Sequence, residues 1–172
     1  MKKLINFIQF QAVWFVCILG AAYQWELPAM MISLAIIAWA FLISENRSHD
    51  QFISMLALGI GFLVDTALIQ FNVMTFQSSL WQEVSPLWMS LIWVALALTI
   101  QSSMSWLKDR LFLAAFLGAI SGPFAYWAGV RMGAGEFTEI KTALITLAVI
   151  WFILTPLLFY CSNRWRVSHE SN

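Results

Sequence analysis

The chain has 172 residues, of which 61% are apolar, with nine basic and nine acidic side chains. A soluble domain is usually about 45–50% apolar and about 25% charged, so charged residues at 10% of the chain are too few to cover a water-facing surface. This composition excludes an ordinary soluble enzyme, and a net charge of zero provides no basic footprint for nucleic acid. The length allows one domain, 1–172, and the composition predicts a multi-pass membrane protein.

Six apolar runs predict an all-α bundle of six transmembrane helices joined by short loops. A helix needs about 20 residues, at about 1.5 Å each, to cross the hydrocarbon core. The runs are continuously apolar, without the alternating pattern that a membrane β-barrel requires. The predicted spans are 4–23, 27–44, 52–71, 86–106, 111–130 and 140–161.

The basic residues predict the orientation of these six spans. One side of the membrane receives seven of them: Lys2, Lys3, Arg47, Lys108, Arg110, Arg164 and Arg166. The other side receives only Arg131 and Lys141. Because cytoplasmic loops carry the excess of Lys and Arg, we expect both termini in the cytoplasm.

One acidic residue is predicted to lie inside a span. Asp65 lies in the third span, about six residues from its outer end. A carboxyl group at this depth normally faces protein or water and has a polar partner. Tyr126 and Arg131 of the fifth helix have a similar depth, so we predict one candidate catalytic site of Asp65, Tyr126 and Arg131. The alternative is that Asp65 only holds helices together by hydrogen bonds.

Four further residues are candidates for binding a substrate. Trp14 and Trp151 lie near the middle of the membrane, where they either pack and contact lipid or form the wall of a pocket. Gln11 and Gln101 belong to two polar groups near the cytoplasmic side, the first in the first helix and the second in the fourth. Such side chains either connect helices by hydrogen bonds or meet a lipid head group or an anionic substrate.

The fifth helix has the clearest packing pattern. Gly118, Gly122, Ala125 and Gly129 share one face, which predicts close approach by a neighbouring helix and a central position. The neighbour is either part of this chain, a second copy or a partner membrane protein. Pro123 lies in mid-span and predicts a kink, because proline lacks the N–H that a helix interior uses.

Two loops are interpreted more simply. In the loop 72–85, apolar residues recur every four positions, which predicts a plain connector or a short interfacial helix that covers an outward-facing cavity. His49 lies in the turn 44–50, which we expect to be solvated. No motif for a metal site, a phosphate-binding loop or a hydrolase nucleophile is present, so no metal and no cofactor are expected.

Four groups of residues carry a resemblance to a known family. They are Asn6-x3-Phe10-Gln11-x2-Trp14-Phe15, Asp65 in the third span, Pro86-Leu87-Trp88 with Trp93, Ser103 and Trp106-Leu107, and Gly118-Ala119-x2-Gly122-Pro123-x-Ala125-Tyr126-x-Ala128-Gly129-x-Arg131-x-Gly133-Ala134. The resemblance is to a family of small bacterial inner-membrane proteins that is classified as a domain of unknown function. It implies a multi-pass protein of the bacterial inner membrane, with no catalytic residues to transfer. Family members tend to be encoded beside fatty-acyl-modifying enzymes, which implies a connection with lipids.

Three functions remain open at this stage. The first is a protein that acts on, binds or assists the modification of membrane lipids through an outer-side polar site, either as an enzyme or not. The second is a small oligomeric transporter or permease, in which Asp65 would bind a coupling ion. The third is a non-enzymatic assembly subunit whose fifth helix docks on a partner.

Overall fold

The computed structural model describes residues 2–78 and 82–170, and side chains as far as Trp165. This part of the chain is built of helices, with one pair of very short strands. In chain order the elements are α1 (Lys2–Ala22), α2 (Glu26–Leu42), α3 (Arg47–Gln70), β1 (Met74–Phe76), α4 (Leu87–Ala97), a 3₁₀ turn (Ser105–Leu107), α5 (Leu111–Arg131), β2 (Gly135–Phe137) and α6 (Ile140–Glu170).

Each predicted span contains one helix, and the prediction of an all-α fold is confirmed. Four of the described helices, α1, α3, α5 and α6, are long and apolar enough to cross a membrane. The other two are shorter, with 17 residues in α2 and 11 in α4. At about 1.5 Å per residue α4 is about 16 Å long, roughly half of the hydrocarbon thickness.

The fourth predicted span, 86–106, is corrected by the structure. Helix α4 ends at Ala97, and the chain continues through successive tight turns to the 3₁₀ turn. Backbone hydrogen bonds of these turns, together with side-chain hydrogen bonds, replace the helical hydrogen bonds there. Asn6 of α1 donates to the carbonyl of Leu98 and accepts from the N–H and hydroxyl groups of Ser103. The hydroxyl of Thr99 donates to the carbonyl of Leu96, a side-chain bond that competes with continued helix.

The central helix is α4 and not α5, contrary to the prediction. Eight of the eleven residues of α4 are buried, and α1, α2 and α3 pack around it. Helix α5 packs mainly against α6 and exposes Phe112, Ile120 and Phe124. Its small-residue face is nevertheless closely approached, as predicted, by α6 at Gly118 and Gly122 and by Ile18 of α1 at Gly129.

Three helices end in the same way at one end of the bundle. Gln24, Asn72 and Gly133 adopt left-handed φ values of 60°, 53° and 93°, directly after α1, α3 and α5. In each case the N–H of the following residue bonds back to the carbonyl five residues earlier, which satisfies the last helical carbonyls. The fifth predicted span, 111–130, thus ends within one residue of α5.

The strands β1 and β2 follow α3 and α5 at this end. They pair antiparallel, with Met74 opposite Phe137 and Phe76 opposite Gly135. The predicted interfacial helix in the loop 72–85 is wrong over residues 74–76, which form a strand, and over 82–86, which are not helical. Leu80 and Trp81, on which that pattern also rested, lie outside the described residues. We call the β1–β2 side the ribbon end.

The opposite end of the bundle gathers the start of α1, the α2–α3 turn, the segment 98–110 and the last turns of α6. Lys2 pairs with Glu45 there, and Asn163 of α6 donates to the carbonyl of Lys108 at 2.8 Å. We call this side the terminal end. Segments that the sequence analysis assigned to one side of the membrane therefore meet at one end of the described structure.

Candidate functional site

Two tryptophans stack in the middle of the bundle between two glycines. The ring of Trp93 on α4 lies against Gly61 of α3, and the ring of Trp151 on α6 lies against Gly122 of α5. The two indoles are stacked on each other, with centroids 4.9 Å apart and planes within 5°. Both glycines are required by space, since a Cβ at either position would overlap the indole that covers it. This four-layer stack joins α3, α4, α6 and α5.

Asp65 fixes the stack through a hydrogen bond to Trp93. It lies one turn after Gly61 on α3 and is 0% exposed. Trp93 Nε1 donates to one carboxyl oxygen at 2.8 Å, and the Tyr126 hydroxyl donates to the other at 2.6 Å. Among the described residues, no basic side chain forms an ion pair with Asp65. The carboxyl group therefore connects α3 to both α4 and α5 without facing the solvent.

The structure brings together two of the three predicted catalytic residues. Asp65 and Tyr126 are hydrogen-bonded, whereas Arg131 is exposed at the end of α5 and forms no ion pair with Asp65. Trp93 takes the second position on the carboxyl group. The predicted site is thus an Asp65–Tyr126–Trp93 cluster, with Arg131 at the ribbon end.

A cavity of about 540 Å³ lies beside this cluster, between α1, α4 and α5. Its wall is apolar and aromatic, with Trp88, Trp93, Tyr126 and Trp151 among the lining residues. Among the described residues that line it, none is charged, and Gln11 and Ser121 are the polar ones besides the aromatic donors. The volume falls in the range of about 300–1,000 Å³ that is typical of small-molecule sites.

The cavity is open on one side of the bundle and closed at the ribbon end. Helices α1 and α5 meet near their ends, where a Cβ at Gly129 would lie 3.1 Å from Ile18 Cδ1. Phe15 and Phe124 line the opening and are 43% and 64% exposed. Phe76 of β1 contacts the rings of Trp88 and Tyr126 and closes the end. The loop after α3 thus covers the cavity as a strand instead of a helix.

Three of the four predicted substrate-binding residues line this cavity: Gln11, Trp14 and Trp151. The fourth, Gln101, lies elsewhere and donates from Nε2 to the Ser162 hydroxyl at 2.8 Å. The indole N–H of Trp151 is buried without a hydrogen-bond partner among the described residues.

Gln101 belongs to a polar cluster at the terminal end that also contains His49 and Ser162. The prediction that His49 is solvated is wrong. This histidine is 1% exposed and not solvated. Its Nε2 lies 2.9 Å from the Ser162 hydroxyl and its Nδ1 3.4 Å from Asp50. Because the Gln101 amide nitrogen only donates, the Ser162 proton is available for Nε2 of the histidine. Ser162 is 0% exposed, so the cluster connects helices and offers no access to a substrate.

Two carboxylates outside the spans have shifted pKa values. A hydrogen bond and the charge of Lys2 lower the pKa of Glu45 in the α2–α3 turn. Hydrogen bonds from the side chain and backbone of Thr142, and from the backbone of Lys141, lower the pKa of Glu139. Glu139 precedes α6 and accepts from the N–H groups of Lys141 and Thr142 at 3.0 and 2.7 Å, as an N-terminal helix cap does.

Sequence reasoning missed the role of Trp93 and the pairing of His49 with Ser162. A signal for the first was present, since a buried indole N–H usually finds an acceptor. Asp65 was the acidic residue in the spans, and Trp93 lay in an apolar run without a polar neighbour. His49 and Ser162 are 113 residues apart, and no local pattern connects them.

A family model described as "Protein of unknown function (DUF2878)" matches residues 3–157. The chain belongs to the DUF2878 family. This agrees with the resemblance to an uncharacterised family and covers every element except the last turns of α6. No curated protein and no solved structure matches the chain. Membership in this family therefore supplies no activity for the chain.

Proposed function

We propose that this DUF2878 protein binds a hydrocarbon chain of a membrane lipid in the cavity between α1 and α5. The observation that carries the proposal is the cavity itself, about 540 Å³ with an apolar, aromatic and uncharged lining. Its opening lies between two helices that are long and apolar enough to span a membrane. A ligand that is already dissolved in the bilayer can enter such an opening sideways.

The apolar lining of the cavity indicates how a hydrocarbon chain would be selected. An apolar chain gains little from leaving lipid for an apolar cavity, because lipid tails are as apolar as leucine. Selectivity must then come from van der Waals fit against fixed walls and from a few polar contacts. The stack of Trp93 and Trp151 provides a rigid wall, and the hydrogen bonds of Asp65 hold that wall in place.

We assign different roles to Asp65 and Arg131 within this proposal. Asp65 is 0% exposed and does not line the cavity, so it is a positioning residue that acts through Trp93 and Tyr126. Arg131 is exposed and lies between Val130 and Met132, both of which line the cavity. An anionic lipid head group at the ribbon end would meet its guanidinium.

The alternatives receive less support from the structure. Ion-coupled transport would need Asp65 to face a polar path, whereas its oxygens are covered by two hydrogen bonds. A role as an assembly subunit that docks through the small-residue face of α5 would need that face to be free, whereas α6 covers it at Gly118 and Gly122 and Ile18 of α1 approaches Gly129. Placement in the bacterial inner membrane remains part of the proposal and rests on the family resemblance.

The test is photochemical labelling in liposomes that contain a phospholipid with a photoreactive acyl chain. We expect crosslinks on cavity residues, identified by mass spectrometry of peptides from α4 and α5. Ala125→Trp fills the cavity, because Ala125 lines it and is only partly buried. This variant should lose most of the labelling.

Ala35→Trp is the matched control, since Ala35 is exposed on α2 and does not line the cavity. It should label like the wild type. Labelling spread evenly over the lipid-facing surface, unchanged by Ala125→Trp, would contradict the proposal.

A further inference from the structure

A second chamber continues the cavity toward the terminal end. It has a volume of about 300 Å³ and lies between the 98–107 segment, α5 and α6. The two chambers share four lining residues: Leu96, Met104, Ser121 and Trp151. We call these four residues the neck. The chambers are therefore neighbours along one groove.

The length of this groove is given by α5, which borders both chambers. Its lining residues run from Leu117 in the second chamber to Met132 in the first. At about 1.5 Å per residue this segment is about 22 Å long. One leaflet provides roughly half of a hydrocarbon core of about 30 Å. The groove is thus longer than the depth of one leaflet.

The neck can admit a narrow flexible chain. Met104 is unbranched and adaptable, and its sulfur lies 3.0 Å from the Thr99 hydroxyl oxygen. Trp151 is fixed by stacking on Trp93. One side of the neck is therefore rigid and the other adjustable, and among the described residues that line either chamber no side chain is charged.

We infer that the ligand is a lipid with a long unbranched chain that enters at the first chamber and passes the neck into the second. This inference rests on the proposed function and adds the class of chain. The chain enters through the side opening, so the head group stays outside the cavity on the surface of α5, near the exposed Arg131. The end of the chain lies against Ile100, Leu117 and Leu158. Short or branched chains would fill only the first chamber.

The experiment uses two phospholipids in liposomes, with a photoreactive group at the end of a chain of about 18 carbons or of about 10 carbons, lengths on either side of one leaflet's depth. The end of the long chain should label second-chamber residues and the end of the short chain should label first-chamber residues. Competition with unlabelled lipid should favour the long chain at least about threefold.

Leu117→Trp tests the second chamber, with Leu113→Trp as the matched control. The two leucines are one turn apart on α5 and 37% and 38% exposed, but only Leu117 lines a chamber. Leu117→Trp should remove second-chamber labelling and the preference for the long chain. Short-chain labelling should stay unchanged, and Leu113→Trp should behave like the wild type.

The outcomes separate this inference from the proposed function. Cavity labelling without any chain-length preference, or with long-chain ends only in the first chamber, would overturn the inference alone. No cavity labelling by either lipid would overturn both. Second-chamber labelling that Leu117→Trp leaves unchanged would also contradict the inference.

Discussion

At the scale of single residues, Asp65 is the feature whose interpretation changed most. The sequence left open whether Asp65 meets a substrate or an ion or only holds helices together by hydrogen bonds. In the structure both of its oxygens accept hydrogen bonds from aromatic side chains that form the cavity wall. A residue in this position determines where the wall stands, and its loss should affect stability as well as binding.

Removing the carboxyl group should destabilise the protein in a graded way. Asp65→Ala leaves the Trp93 and Tyr126 donors buried without a partner, at about 1–3 kcal/mol each. Asp65→Asn keeps an acceptor oxygen for Trp93 Nε1, and its amide N–H₂ can donate to the Tyr126 hydroxyl oxygen, so we expect a loss that is smaller than for alanine. Thermal or denaturant unfolding in detergent measures both.

Tyr126→Phe is the companion variant for a double-mutant cycle. Because both changes remove the same hydrogen bond, Asp65→Ala and Tyr126→Phe should combine with less than the sum of their separate losses. Strict additivity would mean that the two side chains do not depend on each other.

The position of Arg131 leads to a prediction about the lipid head group. If its guanidinium meets an anionic head group, Arg131→Gln should weaken labelling by an anionic phospholipid several-fold. Labelling by a zwitterionic phospholipid with the same chain should change little. Arg47→Gln is the control, since Arg47 is exposed at the opposite end of the bundle. An equal loss for both lipids would contradict the assigned role.

At the scale of helices, glycine positions decide which neighbours can approach. Gly122 lies under the Trp151 ring and Gly61 under Trp93, so two helix pairs pack at their closest point through glycine. By contrast, a Cβ at Gly59 would meet nothing within 4 Å. This difference separates the packing role of glycine from its effect on helix formation.

Gly122→Ala and Gly59→Ala make a matched pair. The first should destabilise the protein by about 1–3 kcal/mol, the usual cost of overpacking, because the indole must move. The second should leave stability unchanged or raise it by up to about 1 kcal/mol, because alanine is the better helix former. Unfolding in detergent compares them, and equal effects would contradict the stacked arrangement.

The start of α6 carries a pH-dependent contact. The hydrogen bonds from Thr142 and Lys141 lower the pKa of Glu139 below its ordinary value of 4.5. A group with a lowered folded-state pKa stabilises the fold above the unfolded value, and this contribution is lost as the pH falls through the folded value. Glu139→Ala should therefore lower the melting temperature at about pH 6, and the difference from the wild type should shrink below about pH 4.

This effect should be small, because Glu139 is exposed. Glu136→Ala is the control, since Glu136 is also exposed but lies in β2, opposite Thr75. A difference between Glu139→Ala and wild type that stays constant across this pH range would argue against the cap.

At the scale of the whole molecule, α4 organises the bundle and α5 with α6 completes the cavity. The buried α4 carries Trp88 and Trp93, and α1, α2 and α3 surround it. The α5–α6 pair adds the opposite wall with Tyr126 and Trp151. The strand pair between the ends of α3 and α5 connects these two parts at the ribbon end.

The two ends of the bundle lead to a prediction about topology. The seven basic residues assigned to one side predict that the terminal end faces the cytoplasm. Alkaline phosphatase fused after residue 109 or at the C-terminus should then be inactive, and the same enzyme fused after residue 139 should be active. Activity at the C-terminus would contradict the orientation.

Composition and local pattern by themselves determined the class of protein and the approximate positions of the helices, except for the early end of α4 at Ala97. These follow from properties of short segments: apolar run length, polar turns and a glycine where the backbone needs positive φ. Gln11, Trp14 and Trp151 were also recognisable as candidates, because polar or bulky aromatic residues within apolar runs are unusual enough to select.

Only the tertiary structure decided which of these residues meet. The end of α4 at Ala97 depends on Asn6, about 90 residues earlier, whose side chain satisfies the backbone of the following turns. The contact of Asp65 with Trp93, where Arg131 was predicted, depends on the packing of α3 against α4. The cavity depends on the way α1, α4 and α5 are arranged around it. Such contacts are set by packing between distant segments, and hydrophobic periodicity carries no information about them.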